Sequence, residues 1–327
     1  MRVTNKMLTQ TVMSNINTNL SRLDKLQNQL SSGKRVTKPS DDPIAVARIM
    51  SFKTVMKSQE QYDKNMQDAM GWLDTSDGAL DNANKVLQRV RELAVYGSND
   101  TLPDESRKAL AQEVDKLVEE MVQIGNTNYG GRYIFGGGHT TEPPFEVVKG
   151  SDGKIESVKF IGYQDFVTPN PPADPGFTED ALKNTYKLEF EVESGVTMNV
   201  AAGSMTFHTG INGSYDLNAV FEKMIELRKN LENGDTAEIN SRIGDMDKLI
   251  DNVLSERAVV GAKSKRMETA QERSFSYQMD LNKLLGRLED VDFAEATMDF
   301  HVQQTVYQAA LATGAQIIQP TLIDFLK

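Results

Sequence analysis

Apolar residues recur three and four positions apart over unusually long distances, the spacing of helices that bury one stripe against a partner. The first stripe is Leu8, Val12, Ile16, Asn19, Leu23, Leu26 and Leu30, with Asn19 as its one polar member. Ser31-Ser32-Gly33 then supplies stop chemistry. A second helix is predicted from Pro43, a favourable first helical residue after Ser40-Asp41-Asp42. Its stripe passes through Phe52, Met66, Leu73, Leu80 and Leu87 to Ala94, ends near Gly97, and makes a helix roughly 80 Å long at 1.5 Å per residue. Thr101-Leu102-Pro103-Asp104 reads as a capping-type start for a third helix, with Leu110, Val114, Leu117, Met121 and Ile124 as its seam and Gly125 as its stop.

The pattern then changes. Gly130-Gly131 and Gly136-Gly137-Gly138 precede six of the ten prolines, which fall between Pro143 and Pro175, so helix cannot continue. Short β-like runs appear at Tyr133–Phe135, Phe145–Val148, Ile155–Phe160, Tyr186–Val192, Val196–Val200 and Met205–His208. Helical spacing returns with Leu217, Phe221, Met224, Ile225, Leu227 and Leu231, and pauses at Asn233-Gly234-Asp235-Thr236. The last segment reads as one helix to the end, with a first seam of Ile239, Ile243, Met246, Ile250, Val253 and Val260. A register shift between Met267 and Tyr277 is expected to move the seam to Tyr277, Leu281, Leu284, Leu288, Val291, Met298, Val302, Thr305, Ala309, Ala312 and Ile323.

The predicted fold class is therefore mainly α with a β-rich insertion: long antiparallel helices forming a coiled coil from both chain ends, plus a small β-rich middle domain. We expect residues 1–40 and 288–327 to make the terminal coiled-coil domain, 41–130 and 213–287 a helical rod, and 131–212 the middle domain. Charge supports the pairing of the ends. Residues 1–60 hold ten Lys and Arg against four Asp and Glu, net +6, while residues 288–327 hold one Lys against six acids, net −5. An antiparallel arrangement brings Lys34, Arg35 and Lys38 towards Glu289, Asp290 and Asp292; exposed pairs of this kind select register more than they stabilise.

Composition narrows the function. The 327 residues carry 36 basic against 47 acidic side chains, a net charge of −11, which argues against a general nucleic-acid or anionic-membrane binder. With no cysteine there is no disulfide, thiolate metal site or thiol nucleophile. His139, His208 and His301 are isolated from one another, no metal-ligand spacing occurs, and neither P-loop, GxGxxG, G-x-S-x-G nor H-E-x-x-H is present. We therefore expect no catalytic, cofactor-binding or metal residues and no cofactor. Val302 to Ile323 is uncharged, yet five glutamines and Pro320 make it a poor membrane span, and the first twenty residues lack a cleavable signal pattern. The candidate residues are instead an assembly interface on the terminal helices: Val12, Ile16, Leu23, Leu26, Leu30, Val291, Met298, Val302, Ala309, Ala312 and Ile323, with Lys34, Arg35, Glu289 and Asp290 as register charges.

Asn15-Ile16-Asn17-Thr18-Asn19-Leu20, then Leu30-Ser31-Ser32-Gly33-Lys34-Arg35-Val36 and Ser40-Asp41-Asp42-Pro43, resemble the amino-terminal region of bacterial flagellins and their junction relatives. Arg287-Leu288-Glu289-Asp290-Val291-Asp292-Phe293-Ala294 and Gln308-Ala309-Ala310-Leu311-Ala312 resemble the carboxy-terminal helix of the same superfamily. Asn128-Tyr129-Gly130-Gly131-Arg132-Tyr133-Ile134-Phe135-Gly136-Gly137 is similar to the hook–filament junction members, where flagellins more often have a Phe-Asn-Gly turn. The resemblance implies a non-enzymatic, secreted extracellular component of the bacterial flagellum. It would form a homo-oligomeric ring on the other hook–filament junction protein, seat the first flagellin subunits, leave through the flagellar type III apparatus and bind a cytosolic export chaperone by its carboxy-terminal helix. A flagellin, the filament subunit itself, is the alternative. A hydrolase with its site in the middle domain would need a convergent His/Asp/Glu cluster, and an intracellular coiled-coil scaffold would not explain the two end signatures.

Overall fold

The two longest helices start where a side chain satisfies a free amide. Asp42 accepts from Ala45 N at 2.9 Å to open α2 (Pro43–Gly97), and Asp235 accepts from Glu238 N at 3.2 Å to open α5 (Thr236–Glu289). The computed structural model describes residues 5–136, 140–150, 153–160, 188–200 and 217–318. Its other helices are α1 (Asn5–Ser32), α3 (Asp104–Gly125), α4 (Leu217–Asn233) and α6 (Phe293–Ile318). Gly33, at φ +69°, ends α1 in the left-handed region that side chains disfavour. At α3 the expected Thr101 cap does not form: Thr101 turns its amide and hydroxyl back onto Asn99 Oδ1, and the helix begins after Pro103 with Asp104 and Glu105 in its first turn.

The strands form three separate antiparallel hairpins: β1 (Asn128–Tyr129) with β2 (Arg132–Tyr133), β3 (Phe145–Lys149) with β4 (Ile155–Phe160), and β5 (Glu189–Glu193) with β6 (Val196–Asn199). Gly130 and Gly131 both have positive φ, 57° and 86°, as a two-residue turn between twisted strands requires. The predicted Met205–His208 strand lies outside the described residues, as do His139 and His208.

The chain divides into two compact units, Glu60–Ser274 and Met1–Gln59 with Phe275–Lys327. In the first, Met66, Leu73 and Leu87 of α2, Val114 and Val118 of α3, Phe221, Met224 and Leu227 of α4, and Met246 of α5 share one buried cluster. A two-stranded hairpin is marginal by itself. Accordingly Phe145 and Ile155, from β3 and β4, are buried in that same cluster, with the Phe145 ring 5.2 Å from that of Phe221. Buried Arg228 of α4 donates to Ile155 O at 2.9 Å and tethers the hairpin to the helix.

Two expectations for the last segment are corrected. It is not one helix: Asp290 to Asp292 separate α5 from α6, because Val291 N donates to Gly33 O at 3.0 Å and Asp292 Oδ1 caps the new helix at Ala294 N and Glu295 N. Nor does the seam shift register along α5. Ile239, Met246, Val253, Val260, Met267, Ser274 and Leu281 are all buried at a strict seven-residue interval, so the stripe passes through a serine that disguises it. Tyr277 and Leu284 instead face outward. Leu281→Ala, at a position 4% exposed, is expected to cost about 2–4 kcal/mol in denaturant unfolding, and Leu284→Ala, 43% exposed, under about 1 kcal/mol. Equal costs would contradict the continuous seam.

Candidate assembly interface

Within the unit formed by the chain ends, α1 and α6 pack side by side in antiparallel sense. From Val12 onward the stripe of α1 is the one the spacing indicates, with Val12, Ile16, Asn19, Leu23, Leu26 and Leu30 half-buried; Leu8, expected to open it, is exposed. The covered face of α6 is Ala296, Phe300, Gln303, Tyr307, Ala310 and Gly314. Gly314 permits the close approach, since a Cβ there would stand 3.0 Å from Val12 Cγ1 and 3.3 Å from Ile16 Cδ1. In the middle of this apolar contact, Gln303 Nε2 lies 3.3 Å from Asn19 Oδ1 and 3.4 Å from Asn19 O, so the one polar member of the α1 stripe has a partner.

This face of α6 is not the one expected to meet α1. At 100° per residue, Met298, Val302, Thr305, Ala309 and Ala312 lie about 160–240° around the helix from Ala296 and Gly314, opposite α1. They are exposed, Met298 at 64% and Val302 at 58%. No charged residue marks this second apolar face as outward, which is why the spacing alone pointed to it and passed over the face that α1 covers. Further apolar exposure lies on the same unit, at Met13 and Leu20 of α1, Ile44 and Met50 of α2, and Phe275 and Tyr277 of α5.

At the end of the α1–α6 pair, the segment after α1 crosses the break between α5 and α6. Lys34 forms an antiparallel bridge with Asp290, and Arg35 N donates to Glu289 O at 2.7 Å while its guanidinium donates to Leu288 O at 3.2 Å. These donors occupy carbonyls that the end of α5 leaves without helical partners. The Glu289 side chain, only 8% exposed, accepts from Lys34 Nζ at 2.5 Å and Lys53 Nζ at 2.9 Å. Three cationic residues thus surround the negative end of a helix dipole. Burial alone would raise the Glu289 pKa, but the hydrogen bonds and charges of Lys34 and Lys53 together outweigh it and hold the carboxyl below its ordinary value. The hydrogen bond and charge of Glu289 raise the pKa of Lys34.

The structure therefore brings Lys34 and Arg35 to Glu289 and Asp290, with Arg35 serving backbone carbonyls rather than a carboxylate. Asp292 caps α6, and Lys38 donates its amide to Asp41. Val291 holds the crossing through its amide, and Ile323 lies outside the described residues. Lys53, Gln303 and Gly314 were not anticipated. Only Gln303 had a signal, the polar Asn19 in an apolar stripe that needed an answering group. Among the described residues, no group of three or more His, Asp or Glu is placed to hold a metal, and no helix is long and apolar enough to cross a membrane.

A family model of the bacterial flagellin N-terminal helical region matches residues 3–140, and one of the bacterial flagellin C-terminal helical region matches residues 243–326. The chain is 26% identical over 322 residues to flagellar hook-associated protein 3 of Escherichia coli, covering 95% of each chain. It is 25% identical over 305 residues to a flagellin of Halalkalibacterium halodurans, covering 93% of this chain and 91% of the other. The crystal structure of flagellar hook-associated protein 3 from Legionella pneumophila shares the fold with a TM-score of 0.55 at 16% identity, over 73% of this chain and 98% of that one.

The Glu289 clamp has a pH signature. A lowered carboxylate pKa stabilises above the ordinary carboxylate value and loses that contribution as pH falls through the folded value; a raised lysine pKa stabilises below the ordinary lysine value and loses it as pH rises through the folded value. Glu289→Gln should lower stability by about 1–2 kcal/mol at neutral pH. In thermal melts at several pH values, the gap to wild type should close as pH drops below 4.5, the ordinary value for the group. A gap that persists undiminished in acid would contradict the clamp.

Proposed function

The chain belongs to the flagellin superfamily, and on that premise we propose that it is a structural component of the bacterial flagellum that joins hook to filament. In this reading it acts outside the cell without catalysing a reaction, forms a homo-oligomeric ring on the other junction protein, and presents a seat for flagellin. Export through the flagellar type III apparatus, accompanied by a cytosolic chaperone on the carboxy-terminal helix, belongs to the same reading.

The observation that carries it is the two-sidedness of α6. One apolar face is covered by α1, and the opposite face, Met298 to Ala312, is open to a neighbour. An apolar side chain such as Met298 or Val302 contributes about 1.5–3 kcal/mol when moved from water into a packed contact, so a lattice of identical copies gains strongly by closing this face. Chain ends that order against neighbours offset the entropy of their own fixing in the same way. The absence of cysteine fits a chain that must be threaded unfolded through a narrow channel, since no cross-link can form in transit.

Flagellin is the second reading, favoured by the comparable identity to the Halalkalibacterium halodurans protein. The Gly130-Gly131 turn between Tyr129 and Arg132, in place of a Phe-Asn-Gly turn, supports the junction role instead. Deleting the gene should leave complete hooks without filaments and shed unpolymerised flagellin into the medium. Hooks still capped by junction proteins but lacking filament subunits would indicate flagellin. Complementation with Met298→Ser/Val302→Ser should restore a folded, secreted chain that does not join hooks; normal filaments from that variant would reject the role given to the open face.

A further inference from the structure

Helix α6 offers α1 two opposite faces, and both carry apolar side chains. The covered face carries Phe300 and Tyr307 but also Gln303 and a bare Gly314, while the open face carries Met298, Val302, Ala309 and Ala312. Hydrophobic burial alone does not exclude the open face. At the level of Gln303, the open side presents Val302 and Thr305, within about 3 Å along the axis. Thr305 already spends its hydroxyl proton on His301 O at 3.0 Å, and Val302 has no polar atom. If α1 lay on that side, the Asn19 carboxamide would be covered without the donor that Gln303 supplies. The Gly314 notch for Val12 and Ile16 would also be lost.

We propose that Asn19 and Gln303 form a face-selecting pair: a polar layer whose function is to direct α1 to one side of α6 and keep the opposite side free for another copy. A single polar pair in an apolar seam sets alignment at some expense of stability, and here the alignment is rotational as well as axial. The biological meaning rests on the interface reading above, but the choice of face is a property of the single chain.

The test uses the full-length monomer, whose lack of native cysteine makes any introduced thiol unique. Ala309→Cys reports the open face and Ala310→Cys the covered one. In the otherwise native chain, the thiol at 309 should react with maleimide several-fold faster than that at 310, which α1 half covers. In the Asn19→Leu/Gln303→Leu background the ratio should fall towards one, with helicity retained and a melting temperature no lower than the parent's. The exchanged pair Asn19→Gln/Gln303→Asn should keep the native ratio. An unchanged ratio in the leucine background overturns the proposal. So does a ratio of one accompanied by loss of helicity, because the pair would then hold the structure together instead of choosing a face. If the ratio collapses as expected yet the leucine variant still joins hooks, face selection stands and the interface role given to the open face fails.

Discussion

A helix that is apolar on two opposite sides cannot be satisfied by one partner, and α6 is such a helix. The α1 stripe closes one side along Ala296, Phe300, Tyr307, Ala310 and Gly314, and leaves Met298, Val302, Ala309 and Ala312 in water. The rest of the terminal unit follows from that imbalance. It needs α1 held in a defined rotation, so that the open side is the same in every copy. It also needs α6 set apart from α5, so that the direction of the pair is not dictated by the 54-residue helix before it.

Both needs are met by polar chemistry rather than by more apolar packing. Asn19 and Gln303 place one hydrogen-bonded layer in a seam that could otherwise slide or turn. Glu289, buried at the end of α5, draws Lys34 from the segment after α1 and Lys53 from α2 onto one carboxylate, while Arg35 and Gly33 take up backbone groups that the helix break frees. Each interaction is modest. Their effect is to define geometry; in the assembly we propose, stability comes from burial of apolar surface between copies.

Much of the fold is legible in the residues because helices dominate it. Gly33, Gly97, Gly125 and Gly234 mark ends, and Asp42 with Pro43 marks a start, by local rules that need no tertiary knowledge. The seam of α5 was less legible, because Ser274 interrupts an apolar series that the partner helices nevertheless keep buried. The break at Asp290 was hidden for a different reason. It depends on Gly33 O, which lies more than 250 positions away in the chain, and no local pattern reports a hydrogen bond of that range. The register charges could be read from opposite net charge at the two ends, whereas Lys53 could not, since it sits in a helix among residues of no distinctive pattern. The middle hairpins could be placed by their turn residues, but their reliance on Phe145 and Ile155 entering a helical core is a tertiary fact.

The central claim is that the uncovered side of α6 is closed by another copy in the assembled flagellum. A photoreactive amino acid at position 298, compared with one at position 300, tests this most directly in purified hook–filament preparations. The account predicts that the probe at 298 links neighbouring polypeptides and the probe at 300 links α6 to α1 of the same chain. Adducts with water alone at 298, or intermolecular links only at 300, would contradict it.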